Sequence, residues 1–320
     1  MRRKIYFRAD AGVNIGYGHF IRTLALADML KDDFDCTFFT VSPTDYQIRE
    51  LRNVCKYIAL DCNTHFEDFL SILQGNEIVV LDNYFFTYEY QIQLKSKCVC
   101  LVCIDDMHDK HYFADVVINH GCDNPCVFDV EPYTYLCLGL EWALIRPSFF
   151  KEKKRCLPIR QKRKTVIVAF GGSDYNDLTQ IAVVSLNKIK EVSQIVAIVG
   201  DSYTGKIYCD SPKVQYKRNL SAQEILDLFT NADLAILSSS TICIEAISCN
   251  IPIMSGYYVD NQLEIYKYLS SKGLVYSLGN LNVNMSEAIG QYFSIVHNYE
   301  TPKIDFSSIP AKYIELFSRL

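Results

Sequence analysis

Between Arg8 and Arg22 the chain carries three glycines, Gly12, Gly16 and Gly18, followed directly by His19. An imidazole with an unperturbed pKa of ~6.5 can take a proton from water near neutral pH. Glycines beside it let backbone approach a ligand closely. The stretch follows a short apolar run, Ile5-Tyr6-Phe7, and leads into a helix-compatible segment over 20–30. A strand, a glycine turn and a helix start mark a ligand site in many α/β proteins. A lone histidine in such a place more often bonds a backbone carbonyl, so His19 gains weight only from its surroundings.

Those surroundings repeat one arrangement. Asp10 follows the first apolar run, Asp82-Asn83-Tyr84 follows 78–81, Asp105-Asp106 follows 99–104, and Asn119-His120 follows 116–118. In the second half Gly171-Gly172-Ser173-Asp174 follows Phe170. Ser238-Ser239-Ser240-Thr241 follows Leu237, Glu245 comes one turn later, and Asp260-Asn261-Gln262 lies shortly after Met254. Backbone amides at Gly171, Gly172 and Ser173, with Ser240 and Thr241 at a helix start, suit a diphosphate. Glu245 suits ribose hydroxyls. Taken singly, each loop is equally well explained as turn glycines or a helix cap. Tyr84 has a plain packing explanation as well, among Phe85, Phe86, Tyr88 and Tyr90.

The elements that must hold these residues alternate in type. Candidate strands lie at 5–9, 36–40, 78–81, 99–104, 116–119 and 135–138, with helices over 18–30, 46–53 and 65–73. Phe20, Leu24, Ala27 and Leu30 fall at helical spacing and face a core. A second series has strands at 165–170, 195–199, 234–237 and 251–254. Its helices lie over 178–189, after a Ser221-x-x-Glu224 capping box, and over 241–248, 262–271 and 309–320. Strands alternating with helices predict mostly parallel sheets covered on both faces. The expected fold is α/β, with two doubly wound, Rossmann-like domains facing across a cleft. The first, 1–150, carries the histidine and a sugar site. Charged residues with a proline form a linker over 151–164. The second, 165–320, binds the nucleotide and includes the C-terminal helix.

Composition bounds the function. A net charge of −5 and a pI near 5.7 argue against nucleic-acid binding. No stretch approaches the ~18 apolar residues of a membrane span, and the start lacks the apolar region of a secretory signal. A cytoplasmic, monomeric protein without stable membrane insertion is expected. Thirteen cysteines in such a chain read as reduced thiols. Strand alternation separates Cys103 from Cys98 and Cys100, which disfavours zinc. The polar run Asp105, Asp106, His108, Asp109 and His111 has metal-ligand residues but no helical periodicity, and reads as a solvated loop. No metal and no cofactor is expected. These residues by themselves point to a two-domain enzyme acting on a nucleotide-linked substrate.

A family resemblance goes further. Arg8-Ala-Asp10, Ile15-Gly16-Tyr17-Gly18-His19-x-x-Arg22-x-Leu24-Ala25-Leu26-Ala27, Asp82-Asn83-Tyr84, Ile104-Asp105-Asp106, Leu144-Ile145-Arg146-Pro147, Phe170-Gly171-Gly172-Ser173-Asp174 and Asp260-Asn261-Gln262 resemble the UDP-sugar hydrolases of pseudaminic acid biosynthesis. That family is similar to GT-B glycosyltransferases of the MurG type. The resemblance implies hydrolysis of UDP-2,4-diacetamido-2,4,6-trideoxy-β-L-altropyranose to UDP and free sugar, without a metal. It implies His19 as the catalytic base. It maps Tyr84 and Asn261 onto the substrate site; Asp10, Gly16, Gly18, Arg22 and Gln262, in the same motifs, are expected substrate contacts beside them, and Gly171, Gly172, Ser173, Ser240, Thr241 and Glu245 are the expected UDP contacts. Water attacking opposite UDP would invert the anomeric carbon. The family usually has more glycine where this chain has Ser238-Ser239-Ser240, and Asn119-His120 also departs from its pattern. The competing readings are a GT-B glycosyltransferase of surface polysaccharide synthesis and a non-catalytic nucleotide-sugar-binding protein.

Overall fold

The computed structural model of the chain describes residues 2–12, 16–151, 164–172, 174, 176–200, 203, 205, 211–295 and 301–320. The expected linker falls largely at 152–163, outside the described residues, as does Ser173. The chain forms two compact units, one comprising Met1–Pro147 with Ser307–Leu320 and the other Ser148–Phe306.

In the first unit the strands are β1 Lys4–Ala9, β2 Asp35–Val41, β3 Lys56–Leu60, β4 Ile78–Asp82, β5 Cys100–Ile104, β6 His111–Tyr112, β7 Val116–Asn119, β8 Asp129–Val130 and β9 Tyr135–Leu138. Its helices are α1 Gly18–Leu30, α2 Asp45–Val54, α3 His65–Ile72 and α4 Tyr88–Ser96. Among the described residues seven of these strands form one sheet in the order β3-β2-β1-β4-β5-β7-β9. Every pairing within it is parallel. A parallel sheet is covered on both faces, and its central strands read accordingly. All of β4 and all of β7 are buried. From β1 the chain runs outward through β2 and β3, then returns to β4 on the other side of β1. The reversal between β1 and β4 opens a crevice at their carboxyl ends, where open α/β sheets bind ligands.

The second unit contains β10 Lys164–Ala169, α5 Leu178–Asn187, β11 Val192–Val199, β12 Val214–Arg218, α6 Ala222–Thr230, β13 Leu234–Ser238, α7 Thr241–Ser248, β14 Ile253–Tyr257, α8 Leu263–Ser271, β15 Tyr276–Asn280 and α9 Leu281–Ile295. Its strands form a parallel sheet in the order β12-β11-β10-β13-β14-β15, so here the reversal lies between β10 and β13. The capping box expected at Ser221 and Glu224 is formed in full and opens α6.

The C-terminal helix, α10 Ile309–Arg319, corrects the expected domain division: it packs on the first unit, not the second. Its apolar stripe decides this. Tyr313 and Phe317 are fully buried. The Tyr313 hydroxyl donates to the Trp142 carbonyl at 2.7 Å, and the two rings meet edge to face. Phe317 lies against Phe34, and Lys312 Nζ reaches Glu141 at 2.8 Å.

Candidate active site

The turn after β1 is pinched by paired backbone bonds, Gly16 N–H to Gly12 carbonyl at 2.8 Å and Gly12 N–H to Gly16 carbonyl at 3.4 Å. Gly16 has φ +77, a conformation that favours glycine. The pinch brings α1 to its start at Gly18, so His19 lies in its first turn and is buried.

Asp82, the last residue of β4, is the hub of the site. One carboxylate oxygen, Oδ1, faces His19 Nδ1 at 2.7 Å and accepts from Arg22 Nη2 at 2.6 Å. The other, Oδ2, accepts from Arg22 Nε at 2.6 Å and from the Thr23 hydroxyl at 2.8 Å. Burial alone would push the Asp82 carboxyl up. The charge of Arg22 outweighs it, with hydrogen bonds from Arg22 and His19 acting in the same direction, and holds the pKa down at about 2. Burial also works against the Arg22 charge, but Asp106 and Asp82 raise its pKa well above the ordinary value.

These charges settle the histidine tautomer. Arg22 Nη2 also lies 3.1 Å from His19 Nδ1, which taken alone would make that nitrogen an acceptor. A bare nitrogen 2.7 Å from a carboxylate oxygen would repel it, so Nδ1 carries the proton and donates to Asp82. The basic lone pair is then on Nε2. No group among the described residues bonds that atom. A carboxylate fixing a histidine in this tautomer is the arrangement of an oriented general base.

The outer wall is tied to the same hub. Asp106 Oδ2 accepts from Arg22 Nη1 at 2.8 Å and from the Tyr84 hydroxyl at 3.0 Å. The Tyr84 ring stands edge-on to His19 with centroids 4.5 Å apart, and at 41% exposure it is the open face of the site. His120, after β7, is buried. Burial first, then Arg22, pushes its imidazole down to about 3, and its neutral Nδ1 accepts the Leu144 N–H at 3.1 Å.

Two of the expected substrate contacts are also engaged with protein partners. Arg22 directs its guanidinium at protein carboxylates, so it positions His19 and Tyr84. Asp10 accepts from the Val41 N–H at 2.8 Å, the Thr40 hydroxyl at 3.2 Å and the buried Arg8 guanidinium, while its own N–H donates to Asn83 Oδ1 at 2.7 Å. Arg8 Nη2 in turn donates to His65 Nδ1 at 2.9 Å. Asp10 is thus a brace beneath the β1 turn. The Asp105–His111 run is dispersed. Asp105 accepts from the Tyr112 hydroxyl at 2.5 Å and from the N–H groups of Met107 and His108. His111 bridges Asp129 and Glu131. Among the described residues no group of His, Cys, Asp or Glu is arranged to hold a metal.

The second unit places its loops at the matching reversal. Gly171 and Gly172 follow β10, with Gly171 at φ +93. Gly200, after β11, sits so close that a Cβ there would lie 2.4 Å from the Gly172 carbonyl oxygen. Ser240 and Thr241 open α7, and no side chain caps that helix start. Glu245 is 1% exposed. The Ser238-Ser239-Ser240 run is explained in part by packing, since Ser238 and Ser239 are wholly buried and Ser239 Oγ lies 2.8 Å from Ser255 Oγ. Asn261 lies in the short helical turn Asp260–Gln262, and Gln262 Oε1 accepts the Tyr258 N–H at 3.2 Å.

Sequence reasoning missed Asp82, Thr23 and Asp106 as site residues. Asp82 had a signal: it is the acid at the end of the strand beside β1, in direct register with Ala9.

The two parallel α/β units make this a protein of the GT-B fold class. MurG of Acinetobacter baumannii has the same fold, with a TM-score of 0.65 at 12% identity, covering 99% of this chain and all (100%) of that one. No family model matches the chain. Over 283 residues, 84% of the chain, it is 24% identical to the UDP-2,4-diacetamido-2,4,6-trideoxy-β-L-altropyranose hydrolase of Campylobacter jejuni, of which it covers 97%. Over 282 residues, 82% of the chain, it is 27% identical to an uncharacterised protein of Methanocaldococcus jannaschii and spans 57% of that protein's length. No helix among the described residues is long and apolar enough to cross a membrane.

Proposed function

We propose that the chain is a UDP-sugar enzyme, and more narrowly a hydrolase releasing UDP and a free 2,4-diacetamido-2,4,6-trideoxy sugar in nonulosonic (pseudaminic) acid biosynthesis. The observation that carries this reading is the Asp82–His19 pair at the β1/β4 reversal. In the reaction Asp82 holds the Nδ1–H tautomer, and His19 Nε2 takes a proton from water as its oxygen attacks the anomeric carbon. UDP departs with the bonding electrons, and the carbon is inverted. A base so placed contributes ~10²–10⁴-fold. The carboxylate also stabilises the imidazolium that forms. Gly171, Gly172, Ser240 and Thr241 supply amides for the departing diphosphate, and Ser173 and Glu245 complete the nucleotide contacts. The sugar contacts assigned to the first unit are Tyr84, Gly16 and Gly18, and those assigned to the second are Asn261 and Gln262. The likeness to the C. jejuni hydrolase over 84% of the chain supports the same substrate class.

The full-length likeness to MurG favours a second reading, a GT-B glycosyltransferase using a UDP-sugar donor for surface polysaccharide. Incubation with UDP-2,4-diacetamido-2,4,6-trideoxy-β-L-altropyranose and no acceptor separates the two. The hydrolase releases UDP, and NMR taken before mutarotation finds the inverted anomer. UDP release that waits for an added acceptor selects the transferase, and retention of configuration excludes direct attack by water.

A further inference from the structure

We propose that Asn83 and Asp106 seat the attacking water in a pocket beside His19, and that this pocket excludes any larger nucleophile. The inference rests on the hydrolase reading above.

The pocket lies at the carboxyl ends of β4 and β5, with His19, Asn83, Tyr84 and Asp106 in its wall, and has about 20 Å³ of room. That is space for one water. Two polar atoms of the wall residues are buried and have no partner among the described residues: Asn83 Nδ2 and Asp106 Oδ1. Their identity is fixed by their neighbours. Asn83 takes the Asp10 N–H on its carbonyl oxygen, so the amide cannot be flipped and its NH₂ must be the unpaired end. Asp106 uses Oδ2 for both Arg22 and Tyr84, which leaves Oδ1 unspent.

Buried polar groups without partners are rare, and one donor and one acceptor in the wall of a single pocket call for a shared answer. A water needs two to four polar partners. Asn83 donates to its oxygen, Asp106 Oδ1 accepts one of its protons, and His19 Nε2 accepts the other. One lone pair remains for the anomeric carbon. As the new O–C bond forms, the C–O bond to the diphosphate breaks with its electron pair going to UDP. The proton on His19 then passes to solvent. The rest of the wall includes the apolar side chains Leu81, Phe86 and Ile104, and about 20 Å³ leaves no room for a carbon substituent on the nucleophile.

The test is product partition. Wild-type chain turns over UDP-2,4-diacetamido-2,4,6-trideoxy-β-L-altropyranose in water and in water–methanol mixtures, and the sugar products are resolved by NMR. Free sugar alone is expected from the wild type in both, with methyl glycoside appearing in Asn83→Ala. Methyl glycoside from the wild type in proportion to the methanol overturns the seat while leaving the hydrolase intact. No UDP release in either solvent removes the hydrolase reading, and the seat with it. Asp106→Asn keeps the volume and weakens the acceptor, so kcat should fall at least about tenfold with KM little changed. An unchanged kcat also overturns the seat.

Discussion

His19 Nδ1 and Asp82 Oδ1 lie 2.7 Å apart although the two residues are 63 positions apart in the chain. One opens the helix after β1 and the other closes β4, and the direct pairing of those strands holds the two together. His19 is therefore oriented by the centre of the sheet, not by the loops around it.

Removing His19 or Asp82 should have separable effects. His19→Ala should lower kcat for UDP release by ~10²–10⁴-fold while Asp82 keeps its bonds from Arg22 and Thr23. Asp82→Asn should lower kcat through the wrong tautomer. It should also cost about 3–5 kcal/mol of stability, because buried Arg22 loses a counter-charge. Steady-state kinetics with thermal melts check both, and an Asp82→Asn protein as stable and active as wild type would refute the hub.

Stability should fall with acid in two stages. Folded His120 stays neutral down to about 3, while the unfolded imidazole takes a proton below ~6.5. Its contribution is whole above that unfolded value and drains as pH drops towards 3. Asp82 adds a second loss, from its unfolded pKa of ~3.9 down to about 2. Denaturant titrations from neutral to acidic pH should show the first stage flattened in His120→Gln, and parallel curves for the two proteins would count against it.

The Arg8–Asp10 brace predicts non-additivity. Asp10→Asn strands a fully buried guanidinium and should cost about 3–5 kcal/mol. Arg8→Met in the same background should recover a large part of that loss, since the unpaired charge is gone. Unfolding free energies for the two singles and the double decide it, and simple addition of the two costs would dismiss the brace.

Tyr313→Ala should destabilise the first unit by about 3–5 kcal/mol, because it empties a fully buried aromatic site and removes the bond to the Trp142 carbonyl. Hydrogen exchange should locate the loss at α1 and around Trp142. Loss confined to the second unit would contradict the packing of α10.

Much of the fold was legible because buried parallel strands announce themselves. The runs ending at Asp82, Asn119 and Ser238 are apolar throughout and bounded by polar residues. Strand β3 escaped because it is an edge strand whose Lys56, Ile58 and Ala59 face solvent, leaving no apolar pattern to read. Helix α4 escaped among the aromatics 84–90, where the spacing carries almost no amphipathic signal; its Thr87 cap was the cue. In the site, His19 drew notice by type and place, while Tyr84 came only with the family resemblance. Asp82 escaped notice, because its importance lies in contacts with residues 59 to 63 positions away. The destination of α10 was equally hidden, since a helix's apolar stripe says that it is buried and not against what.

That destination sets an order of events during synthesis. Everything from Ser148 to Phe306 is translated before α10 exists, yet Phe34 and Trp142 wait for it. On the ribosome the later-made unit can close first, while the earlier one, which carries His19, stays unfinished until the helix emerges from the exit tunnel.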